Sequence, residues 1–251
     1  MENNKLIILE EKLRSAKKLL ILTGAGMSTA CGIPDFRSPT GIWNGPHGER
    51  NKYLFSRDGF NYAQGEFFVA FKKMYDEFSA ITNAGPYAWL KKLGDSGLVA
   101  TIATQNIDGL HKKYVSKNFT VLELHGTAAT MPCLACGKKY PTEQVLALYD
   151  GHNAPKTPCC NRRFDTDIIL FGDGLPADFQ NLMQNIDSYD YLLVLGSSLE
   201  VSPVNMIPRY FPKAGKAIIN LQSTIVDSEF GIVIHADISQ CLQQLSTNWR
   251  G

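Results

Sequence analysis

Leu19-Leu20-Ile21-Leu22-Thr23-Gly24-Ala25-Gly26 is the stretch that decides the fold. Four apolar residues in a row, without alternation, predict a strand buried on both faces. The glycines after it predict a tight turn. Similar apolar runs recur at 98–103, 168–171, 191–195 and 217–219, with a sixth candidate at 231–234 and a weaker one at 121–124. Strands buried on both faces belong to parallel sheets covered by helices, and the segments between these runs are long enough for crossover helices. The expected fold class is α/β, a doubly wound, Rossmann-like parallel sheet.

Upstream, Leu6, Leu9, Leu13, Ala16 and Lys17 fit one face of an opening helix. Two stretches break the strand–helix rhythm. In 41–90, Phe67, Phe68, Phe71, Tyr75 and Phe78 fall at helical spacing, which predicts a helical insert. Residues 128–165 hold a cysteine cluster among turn formers and predict a second small module. The large lobe then comprises 1–40, 91–127 and 166–251, all within one domain of 251 residues.

Composition narrows the function classes. With 25 basic and 24 acidic residues the net charge is +1, which offers no nucleic-acid footprint and no polybasic membrane tail. No apolar run reaches the length of a membrane span. Leu6-Ile7-Ile8-Leu9 is short and runs into Glu10, Glu11 and Lys12, unlike a signal peptide, so a cytoplasmic location is expected. Six cysteines are too few for a disulfide scaffold of this length.

Four of those cysteines cluster, and in a reducing compartment clustering points to metal. Cys133-x-x-Cys136-Gly137 has the form of a zinc half-site. Cys159 and Cys160 are adjacent instead. Neighbouring side chains point different ways, so both reach one zinc only from an irregular backbone, which Pro158 would help set. Three cysteines completed by His152 form an alternative, as does no metal at all. A complete set of four protein ligands would make the zinc structural, with no open position for catalysis.

The glycine turn is a phosphate-binding candidate, because glycines let the backbone approach a pyrophosphate. A turn with no ligand would read the same way. The turn departs from a dehydrogenase pattern: Thr29 stands where a third glycine would be, and no acid-terminated strand follows about 20 residues on. The chain instead continues Cys31-Gly32-Ile33-Pro34-Asp35-Phe36-Arg37. Pro34 breaks any helix there. A loop this rich in contact groups suits folding over a ligand, with Arg37 on phosphate and Phe36 shielding a reactive ring from water.

Gln105-Asn106-Ile107-Asp108 follows the 98–103 run, at a strand end where α/β sheets bind ligands. Amides and a carboxylate there can read a carboxamide and ribose hydroxyls, or simply cap a helix. His125 closes a short apolar stretch before Gly126. Histidine titrates near neutral pH and can take a proton from a sugar hydroxyl.

Taken in order, these segments resemble the sirtuins. Gly24-Ala25-Gly26-Met27-Ser28 with Gly32-Ile33-Pro34-Asp35-Phe36-Arg37 is similar to their NAD-binding signature, with Cys31 in place of the usual serine. Thr104-Gln105-Asn106-Ile107-Asp108, Glu123-Leu124-His125-Gly126, and Gly196-Ser197-Ser198-Leu199 with Val201 and Pro203 follow in the family's order. The resemblance covers about residues 5–243.

It implies an NAD-dependent protein-lysine deacylase that passes the acyl group to ADP-ribose and releases nicotinamide. It implies His125 and Asn106 as catalytic residues, with Asn106, Ile107 and Asp108 at the nicotinamide pocket and Gln105 on the ribose. Gly196, Ser197, Ser198, Asn220, Leu221 and Gln222 would contact phosphate and adenosine, and Ile238 the adenine. Phe171, Gly172 and Val201 would bind the acyl-lysine peptide, which the segment Phe171 to Pro176 would pair with as an added strand. Asp173 stands where the family has glutamate. Cys133, Cys136, Cys159 and Cys160 would bind structural zinc; Cys160 falls at the expected last ligand and Cys159 is displaced.

Family members that take acidic acyl groups carry a Tyr and an Arg three residues apart. The nearest counterpart here is Tyr75 with Phe78, so acetyl or longer neutral groups are expected. Pro86 replaces a usual histidine. A mono-ADP-ribosyltransferase and a non-catalytic NAD sensor are the alternative readings.

Overall fold

In the computed structural model, which describes residues 2–34 and 47–249, the chain opens with α1 (Glu2–Ser15), whose Leu6, Leu9 and Leu13 are buried. Strand β1 (Leu19–Thr23) is buried at all five positions and leads through the glycine turn into the single turn α2 (Gly26–Thr29). Three helices of the first insert follow: α3 (Gly48–Leu54), α4 (Arg57–Tyr62) and α5 (Gln64–Ser79). Helix α6 (Gly85–Asp95) returns the chain to β2 (Ala100–Thr104), α7 (Leu110–Lys113) and β3 (Phe119–Glu123).

The cysteine module holds β4 (Thr130–Pro132), β5 (Lys139–Pro141) and α8 (Thr142–Ala147). The chain then runs through α9 (Ala177–Gln184), β6 (Tyr191–Leu195), β7 (Lys216–Asn220), β8 (Ile232–His235) and α10 (Ile238–Asn248).

Six strands form one parallel sheet in the order β3-β2-β1-β6-β7-β8. From β1 the chain builds outward to β3 on one side, then returns to β6 and builds outward to β8 on the other. The strand order reverses between β1 and β6, where Thr23 lies beside Leu195. Such a switch point opens a crevice beyond the carboxyl ends of the strands. Both central strands are buried along their whole length. Each fully buried leucine there contributes about 1.5–3 kcal/mol.

Two apolar runs exchange the places expected of them. The 168–171 run is not a strand of the sheet; it makes isolated bridges from Ile168 to Gly126 and from Phe171 to Ser56. Ile168 and Leu170 are buried while Phe171 is exposed, and all four residues of the run line a cleft, so the run is apolar for that cleft wall as well as for packing. The weaker 121–124 run belongs to β3. As an edge strand, β3 is covered less completely: Thr120 is exposed and Val121 and Leu122 are only half-buried, which weakens its apolar signal.

The first insert is held by aromatic rings. Phe67 meets Phe60 edge-on at 4.8 Å between centroids, and stacks on Phe71 at 5.4 Å. Ser56 caps α4 through the Gly59 N–H at 3.0 Å. Helix α6 runs through residue 90 and packs on α10 beside the sheet.

Candidate functional site

Three glycines shape the crevice. The Gly24 N–H donates to the Leu195 carbonyl at 3.0 Å and the Gly26 N–H to the Gly196 carbonyl at 2.8 Å. A methyl group on Gly26 would stand 2.6 Å from the Gly196 Cα, and one on Gly24 would stand 2.7 Å from the Gly196 carbonyl oxygen. Gly196 itself has φ +60°. The two turns thus touch backbone to backbone, which only glycine permits.

Above them lies a cleft of ≈ 780 Å³. Of the residues singled out in the sequence, Gly24, Ala25, Gly26, Gln105, Asn106, Ile107, His125, Phe171, Gly172, Gly196, Ser197, Ser198, Val201, Asn220, Leu221 and Gln222 line it. Ser28 and Asp108 stand just behind its wall. Ile238 is buried beneath Gly196. Asp35, Phe36 and Arg37 lie outside the described residues.

The wall behind Asn106 is a closed polar network. The Asn106 side-chain amide donates to the Gly24 carbonyl at 2.9 Å and faces Ser28 Oγ at 3.0 Å and the Tyr87 hydroxyl at 3.2 Å. Ser28 Oγ donates to Asp108 Oδ2 at 2.5 Å, and the Leu110 N–H to Asp108 Oδ1 at 2.9 Å. Burial pushes the Asp108 carboxyl above the usual range. Gln105 Nε2 donates to Ser197 Oγ at 2.9 Å, tying the β2 end to the β6 end.

Tyr87 is a member that sequence reading missed. It is 1% exposed, and its hydroxyl meets Ser28 Oγ at 2.8 Å. The available signal was a tyrosine on the apolar face of α6, because a buried phenol needs a polar partner.

His111 lies behind Tyr87, with ring centroids 4.7 Å apart, and its Nε2 meets Thr23 Oγ1 at 3.1 Å. Complete burial pushes its pKa down to about 3, so it is neutral when folded. The unfolded chain takes up a proton near pH 6.5 that the folded chain refuses, so stability falls as pH drops through that value. Between pH 7.5 and pH 5 this one group costs about 2 kcal/mol. Denaturant titrations across that window should show the loss in the wild-type protein and a flatter profile in His111→Gln. Equal slopes would show that the ring is solvated.

His125 follows β3, and Gly126 turns the chain sharply behind it: φ is +73°, and a methyl group there would meet the Asp167 carbonyl at 1.9 Å. His125 Nδ1 lies 3.1 Å from the Gln105 carbonyl. A carbonyl only accepts, so Nδ1 carries the hydrogen and Nε2 the lone pair. The ring is therefore set as a base on the cleft wall.

The Phe171 side of the cleft is clamped to the helical insert. The Phe171 N–H donates to the Phe55 carbonyl at 3.0 Å, and the Arg57 N–H to the Phe171 carbonyl at 2.9 Å. The Arg57 guanidinium grips Asp173 with two nitrogens, at 2.7 and 2.8 Å, and Asp165 with the third at 2.7 Å. Those carboxylates raise the guanidinium pKa further, Asp173 first. Tyr75 and Phe78 do not line the cleft: Tyr75 is turned toward Glu143 of the cysteine module, and Phe78 is buried in the core. The acyl expectation drawn from that pair therefore loses its basis.

Cys133, Cys136, Cys159 and Cys160 bring their sulfurs within 4.8 Å of one another, and Cys136 and Cys159 approach to 3.6 Å. A tetrahedral zinc with ligands at about 2.3 Å separates its sulfurs by about 3.8 Å, so the set fits the ion. A hydrogen bond from Thr157 draws the Cys133 thiol down to about 6, while the bonds of Cys136 and Cys159 push Cys160 up to about 12. Four thiolates this close need a cation to be ionised together. His152 is not in the cluster, so Cys159 is the fourth sulfur.

The Sir2 family model matches residues 24–203. An NAD-dependent protein deacetylase of Bacillus subtilis (strain 168) is 38% identical, over 93% of this chain and 96% of its own. A Sir2 structure with p53 peptide and NAD+ is 30% identical, with TM-score 0.81 over 96% of each chain. Another, with deacetylated p53 peptide and 3′-O-acetyl ADP-ribose, is 28% identical, with TM-score 0.86 over 98% of this chain and 99% of that one. With the motifs, the fold and the cleft in agreement, the chain belongs to the Sir2 family.

Proposed function

We propose that this protein is an NAD-dependent protein-lysine deacetylase. The observation that carries the reading is His125, held as a base by the Gln105 carbonyl on the cleft that Gly24, Gly26, Asn106 and Gly196 also shape. The relative from Bacillus subtilis bears that activity in its name, and the related structures hold NAD+ or an acetyl ADP-ribose with p53 peptide.

NAD would supply an activated ribose that receives the acyl group. Gly24, Gly26, Gly196, Ser197 and Ser198 would bind its phosphates and Asn220, Leu221 and Gln222 its adenosine, at the strand ends where such groups sit. Asn106, backed by Ser28, Asp108 and Tyr87, orients the nicotinamide end. His125 Nε2 takes the proton from a ribose hydroxyl. Phe171, Gly172 and Val201 hold the peptide that presents the acyl-lysine.

Among the described residues that line the cleft there is no Lys or Arg, and Asp173 is the one acid. A carboxylate on the acyl group would find no cation among those residues. Acetyl and longer neutral acyl groups therefore fit. Among the described residues, no helix is long and apolar enough to cross a membrane. The reducing cytoplasm suits a thiolate cluster, and we place the protein there.

The deciding experiment is mass spectrometry of an acetyl-lysine peptide incubated with the protein, with and without NAD. NAD-dependent loss of the acetyl group with appearance of O-acetyl-ADP-ribose supports the reading. ADP-ribose appearing on the peptide instead would identify a transferase. An unchanged peptide with NAD bound would identify a sensor.

Arg57 gives a separate check on the peptide side. Arg57→Ala should raise KM for the acetyl peptide about tenfold and leave KM for NAD within twofold, because the guanidinium holds the peptide-side segment and no part of the cofactor wall. Equal changes in both would mean that the clamp serves the whole fold.

A further inference from the structure

The two cysteine turns are copies of one another. In the first, the Cys133 N–H donates to the Lys138 carbonyl at 2.8 Å and the Gly137 N–H to the Cys133 carbonyl at 2.8 Å. In the second, the Thr157 N–H donates to the Arg162 carbonyl at 2.7 Å and the Asn161 N–H to the Thr157 carbonyl at 2.9 Å. Gly137 and Asn161 both have positive φ, at 72° and 52°. The flanking residues pair alike, Pro132 with Lys139 and Lys156 with Arg163. Both backbone bonds and the flanking pair therefore match when Cys133 is laid on Thr157 and Cys136 on Cys160; the second turn adds a bond from the Arg162 N–H to Thr157 Oγ1 at 3.2 Å.

In that match the buried ligand Cys133, 1% exposed, has Thr157, 2% exposed, as its counterpart. Cys159 matches Ala135, a position that carries no ligand in the first turn. The Thr157 hydroxyl nevertheless points into the cluster, with Oγ1 3.3 Å from the Cys133 sulfur. Cys159 is exposed and reaches the other sulfurs from the outer corner of its turn.

We infer that Cys159 has replaced a buried ligand at position 157. The Thr157 hydroxyl now serves as a hydrogen-bond donor to the metal-bound Cys133 thiolate. The zinc is then held by three sulfurs in repeated turn positions and by one exposed sulfur outside the repeat. An outer-sphere donor of this kind orients a ligand and spreads its charge. The inference concerns the metal site alone and stands apart from the reaction in the cleft.

The test is zinc affinity by competition with a coloured chelator, on the full chain, with cobalt substitution to count thiolates by their charge-transfer absorbance. Cys159→Ala should weaken zinc at least about tenfold and reduce the cobalt absorbance, and Thr157→Val should weaken it about tenfold with the absorbance kept. The double variant Thr157→Cys with Cys159→Ala should return affinity and absorbance to the wild-type level, because its second turn then repeats the first. If Cys159→Ala fails to fold, the double variant should fold and hold zinc. Unchanged affinity in Cys159→Ala, or no rescue by Thr157→Cys, overturns the inference.

Discussion

His125→Ala should lower kcat for deacetylation by about 10²–10⁴-fold, the range supplied by one positioned general base. The reason is local. The ring hangs on the Gln105 carbonyl and on the turn at Gly126, and it takes no part in the network of Asn106, Ser28, Asp108 and Tyr87. Melting temperature and NAD affinity should therefore stay within error of the wild type while turnover collapses. Calorimetric NAD binding beside mass-spectrometric turnover separates the two. Turnover within twofold of wild type would remove His125 from the mechanism and leave the cleft without its base.

A second large effect belongs to Gly26→Ala. Its added methyl would meet Gly196 Cα at 2.6 Å, with the Gly196 carbonyl carbon and oxygen at 3.1 and 3.0 Å. These are backbone atoms, so no rotamer change relieves the contact. The ends of β1 and β6 must part, which strains the bond from the Gly26 N–H to the Gly196 carbonyl. Overpacking of this kind costs about 1–3 kcal/mol. In a chain of this length that lowers the melting temperature by about 2–10 °C. Cofactor affinity should fall further, because the parted turns are the proposed phosphate floor. Gly174→Ala is the control, since nothing lies within 4 Å of its added methyl and its backbone is ordinary. A Gly26→Ala protein that melts and binds NAD like the wild type would show that the turns have slack.

What could be read from the chain alone follows from how local each signal is. Leu19–Thr23 announces itself because both faces of a central strand are apolar. The 168–171 run imitates that pattern, since its buried residues pack and all four line the cleft, while β3 lacks it at the sheet edge. Gly24 to Gly26, Gln105 to Asp108 and His125 are legible because each cluster sits at a strand end, where position itself implies a site. Tyr87 and Arg57 come from other elements. Their roles depend on partners at Ser28, Asn106, Asp165 and Asp173, and nothing beside them in the chain reports those partners. The adjacent cysteines need an irregular backbone to reach one metal, and residues 157–161 supply it with a turn that gathers both sulfurs.

The pairing of β1 with β6 also bears on how the protein is made. Its two central strands lie side by side in the sheet, but residues 24–190 separate them along the chain. A ribosome adds roughly 5–20 residues per second, so β1 waits on the order of 10–30 s for its partner. During that interval β2 can cover one edge of Leu19–Thr23, and the other edge stays open, flanked by leucine and isoleucine. An uncovered apolar edge of this kind invites pairing with other chains. Yield of native enzyme should therefore depend on translation speed and on chaperones that shield the nascent strand, even if the finished protein is fully stable.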